Sequence, residues 1–149
     1  MDDVPSTTID RRFGSGELAE ASFGPDPESA GEVRRFVEIS CARWDVARNV
    51  VDVAVLLSSE LAANVIQHVR TPFVVRIART ASTLEVAAVD GSVDLPTRFP
   101  PSVERVGGRG IYLLDQLATR WGFERTPIGK TMWFSLMLIP QPAEPDPHL

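Results

Sequence analysis

The sequence predicts an α+β fold, a two-layer α/β sandwich with helices gathered on one face of a mostly antiparallel sheet. Three observations lead there. A long segment from about 47 to 69 carries Val50, Ala54, Leu57, Leu61 and Val65 at helical spacing, along one stripe. Two β-rich runs follow, 73–79 and 83–90, and the link Thr80-Ala81-Ser82 is short enough to read as a hairpin. The remaining elements complete the order β-α-α-β-β-loop-α-β-β, which separates helices from strand pairs instead of alternating them.

Each element has its own signal. Residues 1–15 are polar and without periodicity, so they are expected to form a flexible segment. The run 17–23 is apolar enough for a first strand, ended by Gly24-Pro25. Asp26-Pro27-Glu28 reads as a helix start, with a cap, a first-turn proline and an early acid. Val33, Phe36, Val37 and Ser40-Cys41 follow at helical spacing. Pro72 stops the second helix, since proline cannot donate into the ladder. From Asp90 to Gly108 the chain holds Pro96, Pro100, Pro101 and three glycines, a long loop of the length that usually serves as a functional lid. Residues 110–118 look helical, with Ile111, Leu114 and Leu117 at i, i+3 and i+6. Strands are expected at 120–125 and 131–139, joined by a turn around Pro127-Ile128-Gly129. Pro140, Pro142, Pro145 and Pro147 make 140–149 a tail expected to be disordered, which leaves one domain over 16–139.

Composition narrows the function classes. The chain has 149 residues, 44% hydrophobic and 23% charged, as expected of one soluble globular domain. The net charge of -5 and the scatter of its 15 basic residues argue against direct nucleic-acid binding. No apolar run approaches the length of a membrane span, and the acidic start Met1-Asp2-Asp3 does not read as a signal peptide. Cys41 stands alone, without a disulfide partner or a second sulfur ligand for zinc, so a reducing, cytoplasmic setting is expected.

The chemistry-bearing residues begin with Glu60 and Asn64. Positions i and i+4 share a helix face, and His68 continues the row. The flanking Leu56, Leu57, Leu61, Ala62, Val65 and Ile66 suggest a helix packed into a core, where a carboxylate and an amide are costly unless something pairs with them. A divalent metal carrying a phosphate would satisfy both; a solvated helix face is the plainer alternative. For His68 the plainer reading is a helix-terminal residue without special duty. Strand alternation puts Asp90 on one face with Leu84, Val86 and Ala88, so it is a carboxylate at the inner edge of the core. There it could accept a hydrogen bond from an exocyclic amine such as adenine's, or simply cap the turn before Gly91. Gly107-Gly108-Arg109-Gly110-Ile111 combines accessible backbone N–H groups, a helix N-terminus and a guanidinium, which suits an anion and equally suits a lid hinge. Thr131, after Gly129-Lys130, fits a strand by β propensity alone.

Taken in order, Glu60-x-x-x-Asn64, Asp90-Gly91, Gly108-x-Gly110 and Gly129-Lys130-Thr131 resemble the GHKL (Bergerat-fold) ATP-binding superfamily. Within it the pattern is similar to the anti-sigma-factor serine kinases, in particular the small stand-alone regulators of actinobacteria, over roughly 17–139. The resemblance implies ATP and Mg2+ as cofactors. It implies Asn64 as the metal ligand, Glu60 as general base on an attacking hydroxyl, and Asp90, with Thr131 nearby, on the adenine amine. Gly91, His68 and Ile111 would border the nucleotide, and Gly108, Arg109 and Gly110 would hold the phosphates, with 91–107 as lid. The implied partners are an anti-anti-sigma protein of the STAS type and a sigma factor, with the chain itself a homodimer. Ser92 and Asp94 stand where two glycines of the superfamily's Asp-x-Gly-x-Gly box fall. That departure motivates a second function class, a non-catalytic ATP-binding or ATP-free module that regulates by sequestering a partner.

Overall fold

The computed structural model describes residues 6–9, 16–91, 109–127 and 129–138. Six strands form one sheet: β1 (Ser6–Ile9), β2 (Glu17–Phe23), β3 (Phe73–Arg79), β4 (Thr83–Asp90), β5 (Arg120–Thr126) and β6 (Gly129–Met137). Their spatial order is β1-β2-β3-β4-β6-β5, every neighbouring pair antiparallel. Three helices accompany them: α1 (Ser29–Arg43), α2 (Arg48–Asn64), prolonged by a π-helical turn over Val65–Val69, and α3 (Arg109–Leu117). This is the α+β architecture that the periodicities predict.

Each layer is built from its alternation. On β4 the residues Leu84, Val86, Ala88 and Asp90 are all buried, as the period of two requires. Their partners on β6 are Leu136, Phe134, Met132 and Lys130, so four matched rungs run along one face. Helix α1 packs over β2 and β3, α2 over β4 and β6, and α3 against α2 and β5. Val33, Phe36, Val37 and Cys41 of α1 meet Val51, Ala54, Leu57 and Leu61 of α2 in a core completed by Ile77, Val86 and Phe134. Each Val, Leu, Ile and Phe among them contributes about 1.5–3 kcal/mol by leaving water. Burial pushes the Cys41 thiol up from 9.0 to about 11, with Arg48 opposing the shift and Glu38 adding to it.

Four details differ from expectation. Ser6–Ile9 lie inside the segment expected to be flexible, yet pair with β2 along its outer edge; three of the four residues are β-branched, which favours a strand. Helix α1 starts at Ser29, after a turn in which the Ser29 amide donates to the Asp26 carbonyl and its hydroxyl to the Gly24 carbonyl at 2.7 Å. Leu114 is buried but Leu117 is 40% exposed, because the short α3 turns its last residue away from the core. The 22 residues from Arg48 to Val69 also form a helix long and apolar enough to cross a membrane by length and composition. Here its apolar face is the centre of the core, and its polar residues break what would otherwise be one uninterrupted apolar run. The tail 140–149 and all but Gly91 of the 91–107 segment expected to form a lid lie outside the described residues.

Candidate functional site

The interlayer between α2 and the sheet is apolar along most of its length and polar at one end. Asn64, the last residue of α2 proper, is buried there, and its amide nitrogen donates to Met132 Sδ at 3.5 Å. That weak bond turns the nitrogen onto β6, so the amide oxygen forms the opposite edge of the group. Met132 pairs with Ala88, two residues before Asp90, which places Asp90 on the same helix-facing side of the sheet. Asp90 is the final residue of β4 and is 4% exposed. Asn64 and Asp90 therefore come from facing layers into one interlayer. Glu60, one turn before Asn64 on the same helix face, is half-buried, between the core and solvent.

Immediately after Asn64 the helix widens, and the Arg70 amide reaches back to the Val65 carbonyl at 2.7 Å. Arg70 takes a left-handed conformation, φ 61°, and ends the helix two residues before Pro72. Single π turns of this kind recur beside functional sites. One consequence concerns His68: it is exposed, and the wider turn interrupts the regular α-helical row expected to carry it on from Glu60 and Asn64. The structure does not bring it into the buried cluster.

The start of β6 brings a second correction. Thr131 pairs with Val89, so it lies on the outer face of the sheet, away from Asp90 and the helices. The residue opposite Asp90 is Lys130, 8% exposed, with its Nζ 5.5 Å from the centroid of the Phe123 ring. Counting back in twos from the core residue Phe134 gives Met132 and then Lys130, a signal that the strand's own alternation carries. Gly129 makes this register possible. Its φ is 152°, and a Cβ there would collide with the Asp90 carbonyl oxygen.

The remaining sequence candidates lie at the element ends. Gly91 follows Asp90 directly and is exposed; a Cβ on it would meet nothing within 4 Å, so space alone does not demand glycine. Arg109, Gly110 and Ile111 open α3, as the glycine-rich run predicts. Gly108 lies outside the described residues. Trp121 Nε1 donates to Asp115 Oδ1 at 2.7 Å and ties α3 to β5.

The fold is a two-layer α+β domain, consistent with the GHKL-type ATPase superfamily. Residues 23–136 match the histidine kinase-like ATPase domain, and the chain belongs to that family of ATP-binding domains. The match runs from the end of β2 into β6, so it takes in both long helices and every element that positions Asn64, Asp90 and Lys130. A comparison with curated proteins found no match.

Proposed function

We propose that the protein is an ATP·Mg2+-dependent serine kinase acting as an anti-sigma factor, which phosphorylates an anti-anti-sigma protein of the STAS type. Without that antagonist it would sequester a sigma factor, and it would work as a homodimer in the cytoplasm. The observation that carries the ATP part is the convergence of Asn64 and Asp90 from facing layers, with Glu60 one turn away toward solvent. Mg2+ is characteristically held by one or two protein oxygens plus substrate phosphates, and the Asn64 amide oxygen is a hard donor of the right kind. The cation, when bound, neutralises charge on the phosphates. Asp90 accepts from the adenine amine and orients the base. Glu60 takes the proton of the attacking serine hydroxyl, and the amides at the start of α3 bind phosphate oxygens. Positioning and charge neutralisation of this sort are the main contributions that a protein makes to phosphoryl transfer.

The specific kinase and its partners rest on the sequence resemblance. The test is to incubate the protein with a cognate antagonist and γ-labelled ATP. The antagonist becomes labelled, and Glu60→Gln abolishes the label; labelling that persists in this variant removes Glu60 from the role of base. A second reading, a binding module without transfer, is favoured by Ser92 and Asp94 in place of glycines. It predicts partner capture by a protein that leaves the antagonist unlabelled.

A further inference from the structure

The four rungs shared by β4 and β6 are Leu84 with Leu136, Val86 with Phe134, Ala88 with Met132, and Asp90 with Lys130. All eight side chains are buried. Asp90 and Lys130 are the two charge-bearing residues in the buried set of the described residues, and they stand directly opposite each other. Directly opposed residues of an antiparallel ladder have Cβ atoms about 4.5–5.5 Å apart. Taking an ion out of water costs several kcal/mol, and an apolar fourth rung would continue the pattern of the other three. The ammonium lies 5.5 Å from the centroid of Phe123 on the neighbouring strand, a distance at which the ring attracts it. Lys130 is thus a buried cation on the same rung as the carboxylate assigned above to the base, with its ammonium turned to the β5 side of β6.

We propose that Lys130 is a second base-reading residue, a donor that its four-carbon stem carries from the Phe123 ring to a base held by the opposite residue Asp90, and that it widens the site from adenine to 6-oxo purines. This rests on the ATP-binding reading above. A carboxylate alone accepts from a 6-amino group and repels a 6-oxo group. With an ammonium alongside, the adenine edge finds an acceptor for its amine and a donor for N1. The edge of hypoxanthine or guanine finds a donor for O6 and an acceptor for N1–H. Three N–H donors on a four-carbon stem can serve either order.

The test is calorimetric titration of the full chain with the magnesium complexes of ATP, ITP and GTP, for wild type, Lys130→Met, Lys130→Arg and Asp90→Asn. Wild type binds ITP within about tenfold of ATP, and Lys130→Met lowers ITP affinity at least about tenfold more than ATP affinity, because O6 is then left unpaired near the Asp90 carboxylate while the adenine amine keeps its acceptor. Lys130→Arg keeps the wild-type preference. An ATP-to-ITP ratio unmoved in Lys130→Met overturns the proposal. So does a wild type that binds ATP but rejects ITP by more than about a thousandfold, a result that needs no variant to fold. GTP behaves as ITP does; GTP rejection alongside ITP acceptance restricts the widening to hypoxanthine and overturns it for guanine. In these cases ATP binding that depends on Asp90 leaves the ATP reading standing. A wild type that binds none of the three nucleotides sinks that reading, and this inference with it.

Discussion

The β4–β6 ladder is apolar at one end and charged at the other, though both ends are buried under the same helix layer. At Leu84, Val86, Phe134 and Leu136 the fold does what burial alone rewards. At Asp90 and Lys130 it places two charges where leucines would fit the pattern. The contrast separates residues that hold the layers together from residues that the layers hold in place. Stability resides in the first group, and the recognition proposed above in the second.

Substitutions at the two ends should therefore fail in different ways. The largest effect belongs to Glu60→Gln, at the solvent edge of the polar end. We expect label transfer to fall about 10²–10⁴-fold while calorimetry shows ATP affinity within a few-fold of wild type. Next comes the apolar end: Phe134→Ala should destabilise by about 3–5 kcal/mol in urea unfolding, through lost burial and the cavity left behind. The paired change Asp90→Leu with Lys130→Met should be close to neutral or stabilising by about 1–4 kcal/mol, because two buried charge-bearing residues give way to apolar neighbours. The same protein should lose ATP binding. A double variant as unstable as Phe134→Ala would erase the distinction between the two ends.

The smallest effect is a pH dependence at the apolar core. In the fold the Cys41 thiol titrates at about 11 instead of 9.0, so folding favours its protonated form. Its contribution is complete below pH 9 and is lost as pH rises through 11, since the unfolded chain releases the proton first. Between about pH 8 and about pH 10.5, unfolding stability should drop further in wild type than in Cys41→Ala, by no more than about 1–2 kcal/mol.

Much of this is legible in the residues because the periodicities are clean. Leu84, Val86, Ala88 and Asp90 alternate without a break, and the apolar stripe of α2 fixes which way Asn64 faces. What escapes depends on contacts that spacing does not encode. The strand Ser6–Ile9 exists because β2 offers it an unpaired edge. The π turn after Asn64 removes His68 from its expected row, and no residue type announces such a turn. The motif Gly-Lys-Thr draws attention to Thr131, whereas the pleat counted back from Phe134 points to Lys130. The approach of Gly129 to the Asp90 carbonyl, which sets that register, is visible only in three dimensions.

Whether the polar end of the α2–sheet interlayer binds ATP·Mg2+ through Asn64 is the question on which everything else turns. Calorimetry of wild type and Asn64→Ala with ATP, in the presence and absence of Mg2+, tests it most directly. Wild type should show Mg2+-dependent binding, and Asn64→Ala should lose at least about tenfold in affinity, the worth of one inner ligand to the cation. Equal affinity in the two proteins, or no binding by wild type at millimolar nucleotide, would contradict it.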